Sequence, residues 1–153
     1  MDLEQSQQLK EYSRLYRETD ALYHEIAWKL GLSDSAFSIL YSICELGDGC
    51  LQKDICELYS ISKQTVNSAI RKLEKEGVLY LAAGKGKDKH ILLTEGGRRL
   101  VQEKILPVIA MENSVFEEMT SEESRELLRL TRKYIVELRE KSGILPCTKE
   151  KRT

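Results

Sequence analysis

Apolar positions in the first thirty residues recur at steps of three, four or seven: Leu9, Tyr12, Tyr16, Tyr23, Ile26 and Leu30. That spacing keeps them on one side of an α-helix, so the pattern predicts one long helix over about residues 3–30. Gly31 supplies its stop. Ser33 or Asp34 can cap a second helix running to about Leu46, with Phe37, Leu40, Tyr41 and Cys44 on one side. Gly47-Asp48-Gly49 is a turn. A short helix from about Leu51 to Tyr59 follows, with Leu51, Ile55 and Leu58 on one face, and Ser60-Ile61 breaks it.

Ser62 then sits where an N-cap belongs, with Ile61 placed to staple it. The helix predicted over Ser62–Glu76 divides its surface sharply. Val66, Ala69, Ile70 and Leu73 form a narrow apolar stripe, and Lys63, Gln64, Asn67, Ser68, Arg71, Lys72 and Lys75 cover the opposite side. Gly77 ends it, and the period changes from 3.6 to 2. Val78-Leu79-Tyr80-Leu81 and Ile91-Leu92-Leu93 read as strands. Between them lies a Gly-punctuated stretch that holds Lys85, Lys87 and Lys89, so the unit is a hairpin with a basic tip. From Thr94, a plausible cap, helix resumes through about Met119 with a kink at Pro107. A last helix starts at Ser121-Glu122-Glu123, carries the seam Leu127, Leu128, Tyr134, Ile135 and Leu138, and is ended by Gly143 and Pro146.

Helix, three-residue turn, helix, strand, basic loop, strand is the order of a winged helix-turn-helix. The expected fold is mainly α with a small β-hairpin wing. Residues 1–32 form an N-terminal dimerisation helix, and residues 33–100 the winged domain, with a recognition helix at 62–76 and the wing at 78–93. Residues 101–145 form C-terminal dimerisation helices, and 146–153 a mobile tail.

The chemistry of the 62–76 face fits a duplex. Amide and guanidinium groups can make paired hydrogen bonds to base edges in a major groove. Serine, threonine and lysine at a helix start suit phosphates. Lys63, Gln64, Asn67, Ser68, Arg71 and Lys72 are therefore candidate DNA contacts, with Thr65 near the backbone. Lys85, Lys87 and Lys89 would lie along the backbone or in a narrow minor groove. Charge supports this modestly. The net charge is −1, but residues 50–100 carry ten Lys/Arg against six acids, a local excess of four in a chain whose remainder is acidic.

The sequence also resembles the MarR family of transcriptional regulators. The likeness rests on Gln52-Lys53-Asp54-Ile55, Ile61-Ser62-Lys63-Gln64-Thr65-Val66, Leu73-Glu74-Lys75-Glu76-Gly77, and Leu93-Thr94-Glu95 with Gly97. It runs from about Phe37 to Leu100. The resemblance implies a homodimer, usually a repressor of nearby genes, released from DNA by a small ligand or by oxidation. It implies that the terminal helices make the dimer and that the wings reach the minor groove. It also implies a ligand cleft between the arms and the winged domain, where Tyr16, Tyr23, Trp28, Phe37 and Tyr41 would meet a small aromatic effector. A tyrosine stripe at helical spacing is more often ordinary dimer core than a ligand site, so no effector is named. Two departures stand out. The family's wing often carries Asp-x-Arg, where this chain has Lys85-Gly86-Lys87, so a point charge replaces a planar fork. Ser60 occupies a turn position usually held by glycine.

Dimerisation has its own argument, because long terminal helices with apolar seams have little core of their own to cover. A two-fold dimer sets two reading helices about 34–36 Å apart, and its target is an inverted repeat.

Cys44, Cys50, Cys56 and Cys147 form no Cys-x-x-Cys pair. Cys44, Cys50 and Cys56 read as core residues, and Cys147 lies in the tail. A redox-sensing regulator and a winged-helix protein-interaction module are the alternatives; the polar, basic outer face of the 62–76 helix separates DNA binding from the latter. Asp20 and His24 make at most a two-ligand start for a metal. No oxyanion loop, phosphate cradle or paired carboxylates point to an enzyme, and no cofactor is expected. The longest apolar run, Ile105 to Met111, is too short to span a bilayer, and the N-terminus lacks a signal peptide, so a cytoplasmic protein is expected.

Overall fold

The computed structural model describes residues 4–59, 62–86 and 88–144. The expectations for Ser60, Ile61, Lys87, Cys147 and the 146–153 tail lie outside the described residues. Helices dominate, with one antiparallel two-stranded sheet, as expected. One compact unit extends to Val108 and another starts at Ile109.

In the first unit, α1 (Gln7–Lys29) starts at Ser6, whose Oγ accepts from Leu9 N at 3.1 Å. The cap places the helix start four residues after the position predicted from apolar spacing. Ala27 is the buried residue of α1, and Leu9, Tyr12, Leu15, Tyr16, Leu22 and Tyr23 remain exposed. The C-terminal end of α1 is fixed twice. Lys104 Nζ donates to Leu30 O at 2.5 Å, and His24 Nδ1 lies 2.8 Å from Asp34 Oδ2.

α2 (Asp34–Leu46) is capped by Ser33 and supplies the centre of the core through Phe37, Ile39, Leu40 and Ile43. α3 (Gln52–Tyr59) inserts Ile55, and α4 (Lys63–Lys75) inserts Val66, Ala69, Ile70 and Leu73. Strands β1 (Leu79–Ala83) and β2 (Lys89–Leu93) pair with Leu79 opposite Leu93 and Ala83 opposite Lys89. Leu79, Ile91 and Leu93 close the core from this side. The strands are longer than the apolar run suggested, because the ladder continues through exposed Ala83 and Lys89.

Leu51 departs from the sequence reading. It forms an antiparallel bridge with His90 rather than opening α3. Gly49 N donates to Ile91 O at 2.8 Å and Ile91 N to Cys50 O at 2.9 Å, so the turn before α3 adds a short third edge to the wing.

α5 (Glu95–Leu100) passes into a π turn at Val101–Ile105 and then into α6 (Leu106–Glu117). Leu106 N reaches back to Val101 O, five residues earlier. Pro107 has no N–H to donate to Glu103 O, and the wider turn just before it absorbs that loss. The expected kink is thus a π turn. In the second unit, α7 (Ser121–Ser142) begins with a full capping box, Thr120 with Glu123. Its seam residues Leu127, Leu128, Tyr134, Ile135 and Leu138 are exposed. Among the described residues no helix is long and apolar enough to cross a membrane.

Candidate nucleic-acid interface

α4 is oriented by its own stripe. Val66, Ala69, Ile70 and Leu73 are buried against the core, so the residues between them on the helical wheel must face out. Lys63, Gln64, Thr65, Ser68, Arg71 and Lys72 are exposed. Ser62 fixes the start: its Oγ accepts from Thr65 N at 3.2 Å and lies 2.8 Å from Thr65 Oγ1. The Thr65 hydroxyl is therefore engaged with the cap. Asn67 behaves differently from its neighbours. It is half-buried, and its Oδ1 accepts from Gln52 Nε2, which ties α4 to α3.

The wing is held at its base and at its tip. At the base, Asp48 Oδ1 accepts from Leu93 N at 2.8 Å, while Asp48 Oδ2 accepts from Arg98 Nη2 at 3.0 Å. His90 Nδ1 lies 2.7 Å from Gly49 O, donating to that carbonyl. Thr94 locks the wing to α4 and α5 at once. Its Oγ1 donates to Gly77 O at 2.6 Å and accepts from Gly97 N at 3.0 Å, and its N–H donates to Val78 O at 3.0 Å. This accounts physically for the Leu-Thr-Glu stretch with its glycine. At the tip, Gly84 N donates to Asp88 O at 2.9 Å and Gly86 adopts φ +65°, which glycine tolerates. Asp88 Oδ2 then accepts from Lys53 Nζ on α3 at 2.9 Å. The Asp88 hydrogen bond, followed by its charge, holds the Lys53 ammonium above the usual lysine range.

Between α3, α4 and the wing lies a cleft of about 440 Å³. Lys53, Lys63, Arg71 and Lys89 line it with Glu57 and Asp88. The sequence candidates Lys63, Asn67, Arg71 and Lys89 thus converge on one concavity. Gln64, Thr65, Ser68 and Lys72 lie on the same helix outside its lining. Among the described residues, Lys63, Arg71, Lys85 and Lys89 have no carboxylate partner, whereas Lys72 sits 4.0 Å from Glu76. Charge counting alone does not single out Asp48, Gln52, Lys53 or Asp88, because their roles exist only once the turn, α3 and the wing are brought together.

The aromatic candidates are dispersed in exposure. Trp28 is 74% exposed and Tyr16 67%, while Phe37 is buried at 7%. Phe37 and Tyr41 pair with ring centroids 5.8 Å apart. The cysteines follow the core reading with one refinement: Cys50 is buried, but Cys44 and Cys56 are half-buried. Burial, with help from the Asp54 carboxylate, pushes the Cys50 thiol up to about 11. A thiol so shifted is poorly suited to sensing oxidants, since the thiolate is the reactive form.

Residues 30–87 match a family model described as the MarR family. No curated protein matches the chain by sequence. Solved structures do match by fold. A MarR family regulator from Neisseria meningitidis is 21% identical with a TM-score of 0.75, over 90% of this chain and 96% of that one. The S. aureus MepR–DNA complex is 20% identical with a TM-score of 0.68, over 88% and 99%. Bordetella bronchiseptica BpsR, whose DNA binding is regulated by 6-hydroxynicotinic acid, is 22% identical with a TM-score of 0.62, over 81% and 98%. Residues 30–87 therefore carry the MarR family pattern, and the described chain has the winged-helix fold of MarR-family transcriptional regulators.

Proposed function

We propose that the chain is a sequence-specific double-stranded DNA-binding transcriptional regulator of the cytoplasm. It acts as a homodimer on an inverted repeat, represses, and is modulated by a small aromatic ligand. The observation that carries this reading is the outer face of α4, where Gln64, Ser68 and Arg71 are exposed on a helix whose opposite stripe is buried. That face offers amide, hydroxyl and guanidinium groups to base edges, and Lys85 and Lys89 supply the phosphate contacts. The S. aureus relative of this fold is a DNA complex. The exposed apolar residues of α1, and separately those of α7, support a partner chain. The Bordetella relative's response to an aromatic acid supports a ligand, with Tyr16, Tyr23, Trp28, Phe37 and Tyr41 as its candidates.

In-vitro selection of bound duplexes from a random pool tests the reading. The expected result is a palindromic site with half-sites about 34–36 Å apart. A pool that stays random after repeated rounds overturns it.

A further inference from the structure

One ion pair in the cleft spans the two elements that would meet DNA. Lys53 Nζ on α3 donates to Asp88 Oδ2 in the wing loop at 2.9 Å. Both side chains reach solvent, Lys53 at 56% and Asp88 at 39% exposure. They line the same cleft as Lys63, Arg71 and Lys89, the cations assigned to DNA. Asp88 is thus a carboxylate set among phosphate-binding groups, and it occupies the one lysine of α3. An exposed pair of this kind contributes little to stability, so its fold role is slight. Its ligand chemistry is pronounced, since a carboxylate and a phosphate oxygen compete for the same ammonium.

We propose that Asp88 is a specificity-determining residue that occupies Lys53 in place of a DNA phosphate. While the pair is closed, the Lys53 charge is neutralised by Asp88 and is withheld from a passing duplex. Any duplex must break the pair to gain Lys53. Sequence-independent binding is therefore weakened relative to binding that is also supported by base contacts from α4. This inference rests on the DNA-binding reading above and adds to it an internal competitor.

The test is a double-mutant cycle on the full chain, using fluorescence anisotropy with a mixed-sequence duplex across a range of KCl. Asp88→Asn should tighten binding by up to about five-fold, the upper end of what one exposed ion pair is worth. In a Lys53→Gln background the same change should give little, because no lysine is released. Asp88→Glu should restore weak binding. An Asp88→Asn gain of equal size in both backgrounds overturns the proposal, since it would reflect charge alone. The absence of any gain overturns it too. Failure of the unmodified chain to bind any duplex at low salt is a different result, which removes the DNA reading itself and this proposal with it. Far-ultraviolet circular dichroism on each variant confirms that the fold persists.

Discussion

Gly97 lies in α5, where alanine would ordinarily be favoured over glycine by about 1 kcal/mol. The structure reverses that expectation. A Cβ at Gly97 would stand 1.9 Å from Val78 O, 3.0 Å from Val78 C and 3.3 Å from Leu93 Cδ2. The obstacle is backbone, so no rotamer change relieves it. Val78 O would have to retreat by roughly 1.5 Å to reach ordinary contact. It accepts from Thr94 N at 3.0 Å, and that bond would stretch or break. Overpacking of this kind costs about 1–3 kcal/mol. A weakened buried hydrogen bond adds about 1 kcal/mol more. Against the propensity gain, Gly97→Ala should therefore destabilise the fold by about 1–3 kcal/mol. Gly96 is the internal control. Its Cβ would meet Thr94 Oγ1 at 3.7 Å and Gly77 O at 4.0 Å, which is ordinary contact. Gly96→Ala should be neutral or slightly stabilising. Urea unfolding at one fixed protein concentration measures both, the fixed concentration being needed because self-association would shift the midpoint. Equal stability of the two alanine variants would refute the claim that α5 and the wing approach through Gly97.

Four further outcomes follow. Arg71→Ala should weaken binding to a selected operator by about 1–3 kcal/mol if its guanidinium pairs with a base, and an unchanged dissociation constant would take Arg71 off the reading face. Lys85→Ala with Lys89→Ala should weaken binding to all sequences alike and flatten the dependence on salt by about 0.9 per lost phosphate contact; a salt slope equal to that of the unmodified chain would deny the wing its role. For Cys50, the unfolded thiol ionises near 9.0 and the folded thiol near about 11. Its contribution to stability is thus whole below the unfolded value and lost as pH rises through the folded one. The stability difference between the chain and Cys50→Val should shrink across that window, and a flat difference would contradict the burial. Trp28, the single tryptophan, is largely exposed, so its emission should change on titration with an aromatic carboxylic acid; emission that stays constant to millimolar ligand removes Trp28 from the effector site.

The helical elements were legible because each has a short-range cause. Ser33, Ser62 and Thr94 stand where caps belong and do accept from the backbone N–H three residues on. The stripe Val66, Ala69, Ile70 and Leu73 has one solution, and it fixes which side of α4 remains outside. What escaped the sequence was every feature set by residues distant in the chain. Asp48 reads as a turn residue, yet it satisfies Leu93 N and Arg98, 45 and 50 positions away. Leu51 has helical spacing with Ile55 and Leu58, but the unsatisfied edge of β2 captures its backbone first. Asn67 looks like one more polar residue on the reading face until Gln52 is placed beside it. Periodicity reports the face a residue occupies and is silent about its neighbour from another element.

Charge shows the same division and decides where the field lies. Residues 50–100 hold an excess of four positive charges, which is weak for a polyanion partner if it is spread evenly. Folding does not spread it. Lys53, Arg98 and Arg99 are set against Asp88, Asp48 and Glu95, and Lys72 is drawn toward Glu76. Within residues 50–100 these pairings use four bases and three acids, Asp48 lying outside that stretch, so an excess of three is still carried by the cations left over. Among the described residues those include Lys63 and Arg71 on α4 and Lys85 and Lys89 on the wing, all on elements assigned to the duplex. A chain of net charge −1 can thereby present a positive concavity. Substituting Arg98 by Gln should leave Asp48 as an unneutralised carboxylate at the wing base, and it should weaken DNA binding more steeply at low salt than at high. Equal weakening at all salt concentrations would mean that the Asp48–Arg98 pair acts on the shape of the wing and not on its field.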